Sequence, residues 1–436
     1  CVMYVCPFIF RKIKKINIKL EENEVSKKEK VLWIFFSFLG SFLTLLFWYL
    51  AYYPGSFFAD CINQYGQAIT GNYNDWHPAL QTLFTYTLPL KLTGRADSIV
   101  LFQIFEYSCV LSYMSYTFFR YVNKKYAIFS LMYILLNSVT GNIMIQPWKD
   151  ATFAMAATLL MIFGFRIYIT EGEWLEQKGR MYLFIAILVF DTIFRHNAIL
   201  FTVPLLFSIL MTLKNTKRCL RVCCNFIIFL LIIKDPIYST INVEKPENRA
   251  LEILGVPMTI LGNVAKESPE SFDQDTEEFM FSVASQQEWK ELYQCGDFNS
   301  IKWHTNWNVI EEEGVTEILA MTVKTFFKAP KESLKAFLVL TDIVYALGGY
   351  APVPLSPGIE ENIYGIEVHE ILGKNVLETY TDILSNSIFK YIFYYIGVID
   401  FCIITSILGK CNEKNKQGQK KIFYCIPILV YNFGTM

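Results

Sequence analysis

The fold is decided by an apolar stretch near the start of the chain, VLWIFFSFLGSFLTLLFWYLAYY at residues 31–53, which contains no charged side chain. A helix needs about 20 such residues to cross the hydrocarbon of a bilayer. The rest of the chain has a similar character: of 436 residues, 53% are hydrophobic and 18% are charged, and the mean hydropathy is +0.32. Soluble domains usually carry about a quarter of charged residues. The composition therefore predicts an all-α polytopic membrane protein and disfavours a soluble enzyme.

Further apolar stretches predict eight membrane spans and the start of a ninth. They are 31–53, 97–119, 127–146, 151–169, 181–197, 198–213, 221–234, 389–409 and 422–436. Five short loops between them are rich in Lys and Arg, and nine alternating spans place all five in the cytoplasm, as the positive-inside rule requires. Residues 77–92 and 333–347 are also apolar but shorter, so we expect amphipathic or re-entrant helices at the outer surface. If both crossed instead, the loops between them would invert.

This topology divides the chain into four segments. They are a basic cytoplasmic segment (1–30), an N-terminal transmembrane module with catalytic outer loops (31–234), an extracytoplasmic insertion (235–388) and C-terminal transmembrane helices (389–436). The insertion holds 10 basic and 25 acidic residues, and we expect a small, mainly helical cap there. Because the chain opens with Cys1 and its final apolar run is short, both ends are expected to be truncated.

Charge and cysteine content exclude several other classes of protein. With 39 basic and 40 acidic residues there is no overall positive charge to hold nucleic acid, and no glycine-rich phosphate loop is present. The 11 cysteines lack the paired spacing of a zinc site. Cys61 and Cys295 are the two that lie outside predicted spans on the outer side, so a disulfide between them is one hypothesis.

The first outer loop contains three candidate site residues. Asp60 follows the first span, beside Phe57 and Phe58, so we expect a partly desolvated carboxylate that takes a proton from an incoming hydroxyl. The alternative role is a helix cap. Asp75 and His77 belong to the sequence DWHP, which also fits a helix start capped by Asp75. His77 is expected to be exposed and to bind an acceptor, a phosphate or a metal.

The second outer turn, QPWKD, contributes Lys149 and Asp150. A lysine on the same membrane face as Asp60 suits contact with a phosphate. The structural alternatives are a lysine that extends from the helix end towards water and an aspartate that caps the next helix. We favour the functional interpretation for both residues.

The third outer turn interrupts apolar sequence with Arg195, His196 and Asn197. Asp191 precedes Arg195 by four residues, so helical spacing predicts an ion pair between them. Ionisable groups within apolar segments are costly and are functional candidates by default. Arg195 is the best candidate for binding a lipid phosphate because its planar guanidinium matches phosphate oxygens.

Other polar and aromatic residues carry less information. Glu106 lies within a predicted span, and we expect it to form a hydrogen bond inside the helix bundle. In the insertion, His304 and the tryptophans Trp289, Trp303 and Trp307 either line a groove for an acceptor or form part of a hydrophobic core.

The order of these motifs resembles the GT-C superfamily of integral membrane glycosyltransferases, and most closely an uncharacterised bacterial branch with PG…D…Q, DWHP, WKD and RHN elements. The similarity covers about the first 210 residues. It implies a GT-C-like helix bundle that transfers a sugar, with inversion, from a polyprenyl-phosphate donor at the outer face. The acceptor would be a glycan, a lipid or a protein of the cell envelope.

The resemblance also implies roles for individual residues. Asp60 would be the base, Asp75 and His77 match the second half of the first loop, Asp150 matches the acidic residue of the second loop, and Arg195 would hold the donor phosphate. The chain lacks an acidic pair such as Asp-x-Asp at Asp60, so a divalent metal is not indicated.

Two other classes of function remain open from the sequence. A transporter or flippase of lipid-linked saccharides predicts polar residues spread through the membrane midplane and broken helices in paired halves. A non-catalytic protein of envelope assembly predicts that none of the polar side chains matters. The gathering of polar residues at one face favours the transferase.

Overall fold

The computed structural model describes residues 22–213, 215–245, 254–348, 357–411 and 423–435. These residues form helices, turns and a few isolated bridges, and no strand occurs among them, which confirms the predicted all-α class. The chain divides into two compact units. One combines Cys1–Glu244 with Gly348–Thr435, and the other is Lys245–Leu347. Most of the basic segment 1–30 lies outside the described residues.

The first unit consists of helices on both sides of the second unit in sequence. They are α1 (Lys27–Ala51), α2 (Ala59–Thr70), α3 (Ala79–Thr82), α4 (Leu88–Thr93), α5 (Asp97–Tyr121), α6 (Lys124–Leu135), α7 (Ser138–Met144), α8 (Lys149–Ile169), α9 (Lys178–Phe194), α10 (Ile199–Leu210), α11 (Thr216–Ile232) and α12 (Tyr238–Thr240), then α21 (Lys374–Ser385), α22 (Lys390–Phe393), α23 (Ile396–Cys411) and α24 (Ile426–Gly434). Leu83–Thr87 forms a π-helical turn that joins α3 to α4.

Within the part of the chain that the structure describes, three helices, α1, α5 and α8, are long and apolar enough to cross a membrane. Helices α6 and α7 pass the same test together, but they are bent by 63° at the break between them. Among the described residues, the other predicted spans correspond to shorter helices, such as α9 with 17 residues and α24 with nine. The membrane character of the chain therefore rests on three helices, or four if the bent pair is one span. The predicted count of nine spans stays a prediction.

The first outer loop is tied to the end of α7 by a close approach of the backbone. Gly55 has a φ of +126°, and a Cβ there would lie 2.5 Å from the Val100 side chain and 2.9 Å from the carbonyl oxygen of Ile145. Only glycine fits such a position without strain. The next residue, Ser56, donates its backbone N–H to the same Ile145 carbonyl at 2.9 Å. This contact brings α2, which starts at Ala59, beside the turn that opens α8.

Residues 357–372 pack on this same loop and on α2. The Ser56 hydroxyl donates to the carbonyl of Gly358 at 2.9 Å, and Phe57 pairs with Ile359 in a parallel bridge. The ring of Tyr364 packs edge-on against Tyr65 of α2, with centroids 5.2 Å apart. Part of the stretch predicted as an extracytoplasmic insertion (235–388) therefore folds onto the first unit.

The second unit is helical throughout its described residues. Its helices are α13 (Gly255–Glu267), α14 (Gln274–Val283), α15 (Gln286–Glu291), α16 (Asn299–Lys302), α17 (Trp307–Glu313), α18 (Val315–Lys328), α19 (Pro330–Leu340) and α20 (Asp342–Tyr345). The segment predicted at 333–347 is thus divided between α19 and α20, each shorter than a membrane span.

The tryptophans of the second unit have different environments. Trp289 is fully buried, and its indole N–H donates to the carbonyl of Met280, so it belongs to the core and does not line a groove. Trp303, in contrast, is 77% exposed and stacks on Trp307. The hypothesis of a disulfide between Cys61 and Cys295 is not supported, because both are free thiols.

Candidate active site

Asp60 lies in the first turn of α2, and three side chains from two other segments surround its carboxylate. The indole N–H of Trp148 donates to Oδ2 at 3.1 Å, and the Lys149 ammonium is 3.8 Å from the same oxygen. Nε2 of His77 lies 3.7 Å from Oδ1. The N-terminal end of a helix also favours negative charge. The carboxylate therefore has a defined orientation.

Asp60 is partly desolvated, as its position after the first predicted span indicates. Its side chain is 41% exposed, because Phe57 turns into the core while Asp60 starts the next helix. Solvent can thus reach the carboxylate, which has a fixed position.

His77 was expected to be exposed, but it is buried, with 2% exposure. The Lys149 ammonium donates to Nδ1 of His77 at 3.4 Å, so a neutral ring carries its proton on Nε2, the atom that faces Asp60. The ring fills the space between the first outer loop and the second outer turn. In this arrangement His77 orients Lys149 and Asp60 and does not present a free imidazole to solvent.

A second ion pair lies one residue further along the chain. Asp150, in the first turn of α8, accepts a hydrogen bond from Nη1 of Arg195, and both side chains are about one quarter exposed. Lys149 and Asp150 are consecutive residues at the start of α8, so the two charged pairs are linked through the backbone of that turn. We call Asp60, Lys149, Asp150 and Arg195 the charged cluster.

The predicted pairing of Arg195 with Asp191 is wrong. Arg195 is the first residue beyond α9 and has an extended backbone (φ −145°, ψ 132°), so the spacing of a helix no longer applies to its side chain. Asp191 is fully buried, and neither of its carboxyl oxygens has a hydrogen-bond partner among the described residues. The change of backbone direction after Phe194 is what turns Arg195 towards Asp150.

The remaining candidates have structural contacts near the cluster. Asp75 accepts the backbone N–H of Ala79 at 3.3 Å, which is the capping role that the sequence offered as an alternative. His196 is exposed, and its Nε2 donates to the backbone carbonyl of Asp75 at 3.2 Å. Asn197 is also exposed. These contacts tie the third outer turn to the first outer loop.

An apolar groove of about 470 Å³ has two of its lining residues, Phe153 and Tyr431, next to Arg195. The guanidinium carbon lies 5.8 Å from the ring centre of Phe153 and 5.7 Å from that of Tyr431, and both rings line the groove. The other lining residues come from α5, α8, α10 and α24, and they include Met114, Phe118, Ala157, Met161, Phe165, Phe201 and Ile428. Its volume is within the range of about 300–1,000 Å³ that is usual for ligand pockets.

Sequence reasoning missed three residues of this site. Trp148 precedes the Lys149–Asp150 pair directly, so its position in the WKD motif was a usable signal. Phe153 lies one helical turn after Asp150, but it could not be separated from other apolar residues of α8. Tyr431 is more than 200 residues from Arg195 in sequence, and no local pattern indicates that the two meet.

Within the described residues, no group of three or more His, Cys, Asp or Glu side chains is close enough together to hold a metal ion. No family model, curated protein or solved structure matches the chain.

Proposed function

We propose that this protein is a membrane glycosyltransferase that moves a sugar from a polyprenyl-phosphate donor to a cell-envelope acceptor at the outer face, with inversion. The observation that carries the proposal is the position of Arg195, which joins the charged cluster to the apolar groove. A lipid phosphate has the same two parts, an anionic head and an apolar chain. A guanidinium next to the rings of an apolar groove can bind the phosphate head while the groove takes the apolar chain.

The charged cluster supports a division of roles in this reaction. The acceptor hydroxyl gives its proton to Asp60 while its oxygen bonds to the anomeric carbon of the sugar. The bond from that carbon to the phosphate oxygen breaks, and the electron pair leaves with the lipid phosphate. Arg195 and Lys149 stabilise the negative charge that gathers on this leaving group. Attack from the face opposite the phosphate gives inversion.

The exposure of the residues suits these roles. Asp60 is the most exposed member of the charged cluster, which fits a group that must meet an incoming acceptor. Trp148 donates to Oδ2 at 3.1 Å, whereas Oδ1 has only the longer 3.7 Å contact with His77, so Oδ1 is the oxygen better placed to receive the proton. Asp150 accepts from Nη1 and so orients the guanidinium of Arg195.

A reconstituted transfer assay tests the proposal. The full chain is placed in liposomes with radiolabelled polyprenyl-phosphate sugars of several kinds and with envelope glycans and lipids as acceptors. We expect the label to move from the donor to an acceptor with release of polyprenyl phosphate. Movement of the intact donor between leaflets without cleavage would instead support a flippase, and binding with neither outcome would contradict both activities.

A further inference from the structure

The second unit presents a surface that combines exposed apolar side chains with lysines. On α18, Leu319, Val323 and Phe327 follow one another at intervals of four residues and are exposed, Phe327 by 79%. On α19, which packs against α18, Leu334 and Leu338 are also exposed. We call these five residues, with Lys324 and Lys331, the apolar-basic face.

This exposure is not explained by the core of the unit. The core side of α18 is formed by other residues, among them Ile318 and Met321, which are buried. Helix α18 therefore has apolar residues on both its buried side and its outer side. A row of large, exposed apolar side chains indicates a surface that binds another protein or a membrane.

Charge is separated along the sequence of the unit. Residues 254–318 contain three lysines and thirteen carboxylates, whereas residues 319–347 contain four lysines and two carboxylates. Two of these lysines are in ion pairs, Lys328 with Asp273 and Lys335 with Glu267. Lys324 and Lys331 have no ion-pair partner among the residues that the structure describes. Their two ammonium groups belong to the helices that carry the exposed apolar side chains, and these helices also contain Glu317 and Glu332.

We propose that the apolar-basic face binds the surface of an anionic lipid bilayer. Aromatic and aliphatic side chains flanked by lysines are the pattern of helices that lie in the membrane interface. The charge also has the correct sign, since anionic headgroups attract Lys324 and Lys331 and repel the acidic half of the unit. The unit is joined at both ends to a chain that carries apolar helices long enough to cross that membrane. This inference does not depend on the proposed transferase activity.

Photo-crosslinking in the full chain tests this assignment. A benzophenone analogue of phenylalanine replaces Phe327, and the matched control places it at Phe281, which lies in the acidic half beside Glu277 and Glu278. The protein is reconstituted into vesicles of phosphatidylcholine alone or mixed with phosphatidylglycerol. After illumination, mass spectrometry identifies what is attached to each position.

We expect lipid adducts at position 327 and few or none at position 281, with a higher yield at 327 when phosphatidylglycerol is present. Replacing Lys324 or Lys331 by Gln should lower that yield about fivefold for each lysine, the usual electrostatic contribution of one charge near an anionic surface. An adduct at 327 to another segment of the same chain or to a second copy would overturn the assignment. Equal lipid labelling at both positions, or none at either, would overturn it as well.

Discussion

Replacing Arg195 by Ala should weaken the binding of a polyprenyl phosphate far more than replacing Lys149 by Ala. The Arg195 guanidinium lies over the rings of Phe153 and Tyr431, which line the apolar groove, and it has N–H groups beyond the one that Asp150 accepts. A hydrogen bond to a charged group contributes about 1.5–3 kcal/mol. Its loss therefore predicts a Kd about 10- to 150-fold higher.

The expected effect at Lys149 is smaller because its ammonium already has two partners. It lies 3.8 Å from Asp60 and 3.4 Å from Nδ1 of His77, and the ion pair is partly exposed. Such pairs contribute about 1 kcal/mol or less. Lys149→Ala should therefore raise the Kd by about fivefold or less.

The assay is a titration of a short-chain polyprenyl phosphate into the purified, detergent-solubilised protein, with the unfolding temperature measured on the same samples. Asp150→Asn is the control that separates binding from structure, since it also removes the ion pair but keeps the guanidinium. We expect this variant to bind at least as tightly as the wild type. The reasoning is refuted if Arg195→Ala binds normally, or if Asp150→Asn loses as much affinity as Arg195→Ala.

Two predictions concern stability. A Cβ at Gly141 would overlap the buried indole of Trp48, so Gly141→Ala should lower the free energy of unfolding by about 1–3 kcal/mol. Gly40→Ala is the control, because a Cβ there meets open space and should not lower it. Thermal unfolding in detergent compares the two variants. Asp273 caps α14, and the hydrogen bonds from Thr276 hold its pKa below the usual range. That stabilisation is present at neutral pH and is lost as the pH falls through the lowered pKa. Asp273→Ala should therefore lower the free energy of unfolding by about 1 kcal/mol at neutral pH, which should be measurable as faster proteolysis of α14. In strong acid the substitution should make little difference, and an equal effect there would contradict this prediction.

The sequence predicted which turns meet but not how their side chains pair. The predicted topology puts Asp60, the WKD turn and the RHN turn on the same side of the membrane. In the structure Asp60 contacts Lys149, and Asp150 contacts Arg195. Sidedness follows from the distribution of Lys and Arg along the chain, which is a property of sequence alone. Pairing depends on backbone direction at single residues, as the extended Arg195 illustrates.

Burial was the other property that the sequence could not supply. His77 and Asp60 belong to the same polar loop, yet the histidine is buried and the aspartate is accessible. His77 lies against Lys149, more than 70 residues away in sequence, and no local pattern indicates that contact. The aromatic rings beside Arg195 depend on a similar long-range contact, with Tyr431 near the end of the chain.

The rate of sugar transfer by Asp60→Asn tests the central claim most directly. The substitution keeps the size of the side chain and an oxygen for the Trp148 N–H, and it removes only a partly exposed charge, so folding and donor binding should change little. Loss of a general base predicts transfer about 100- to 10,000-fold slower under saturating donor and acceptor. Transfer at the wild-type rate by this folded variant would contradict the assignment of Asp60 as the base.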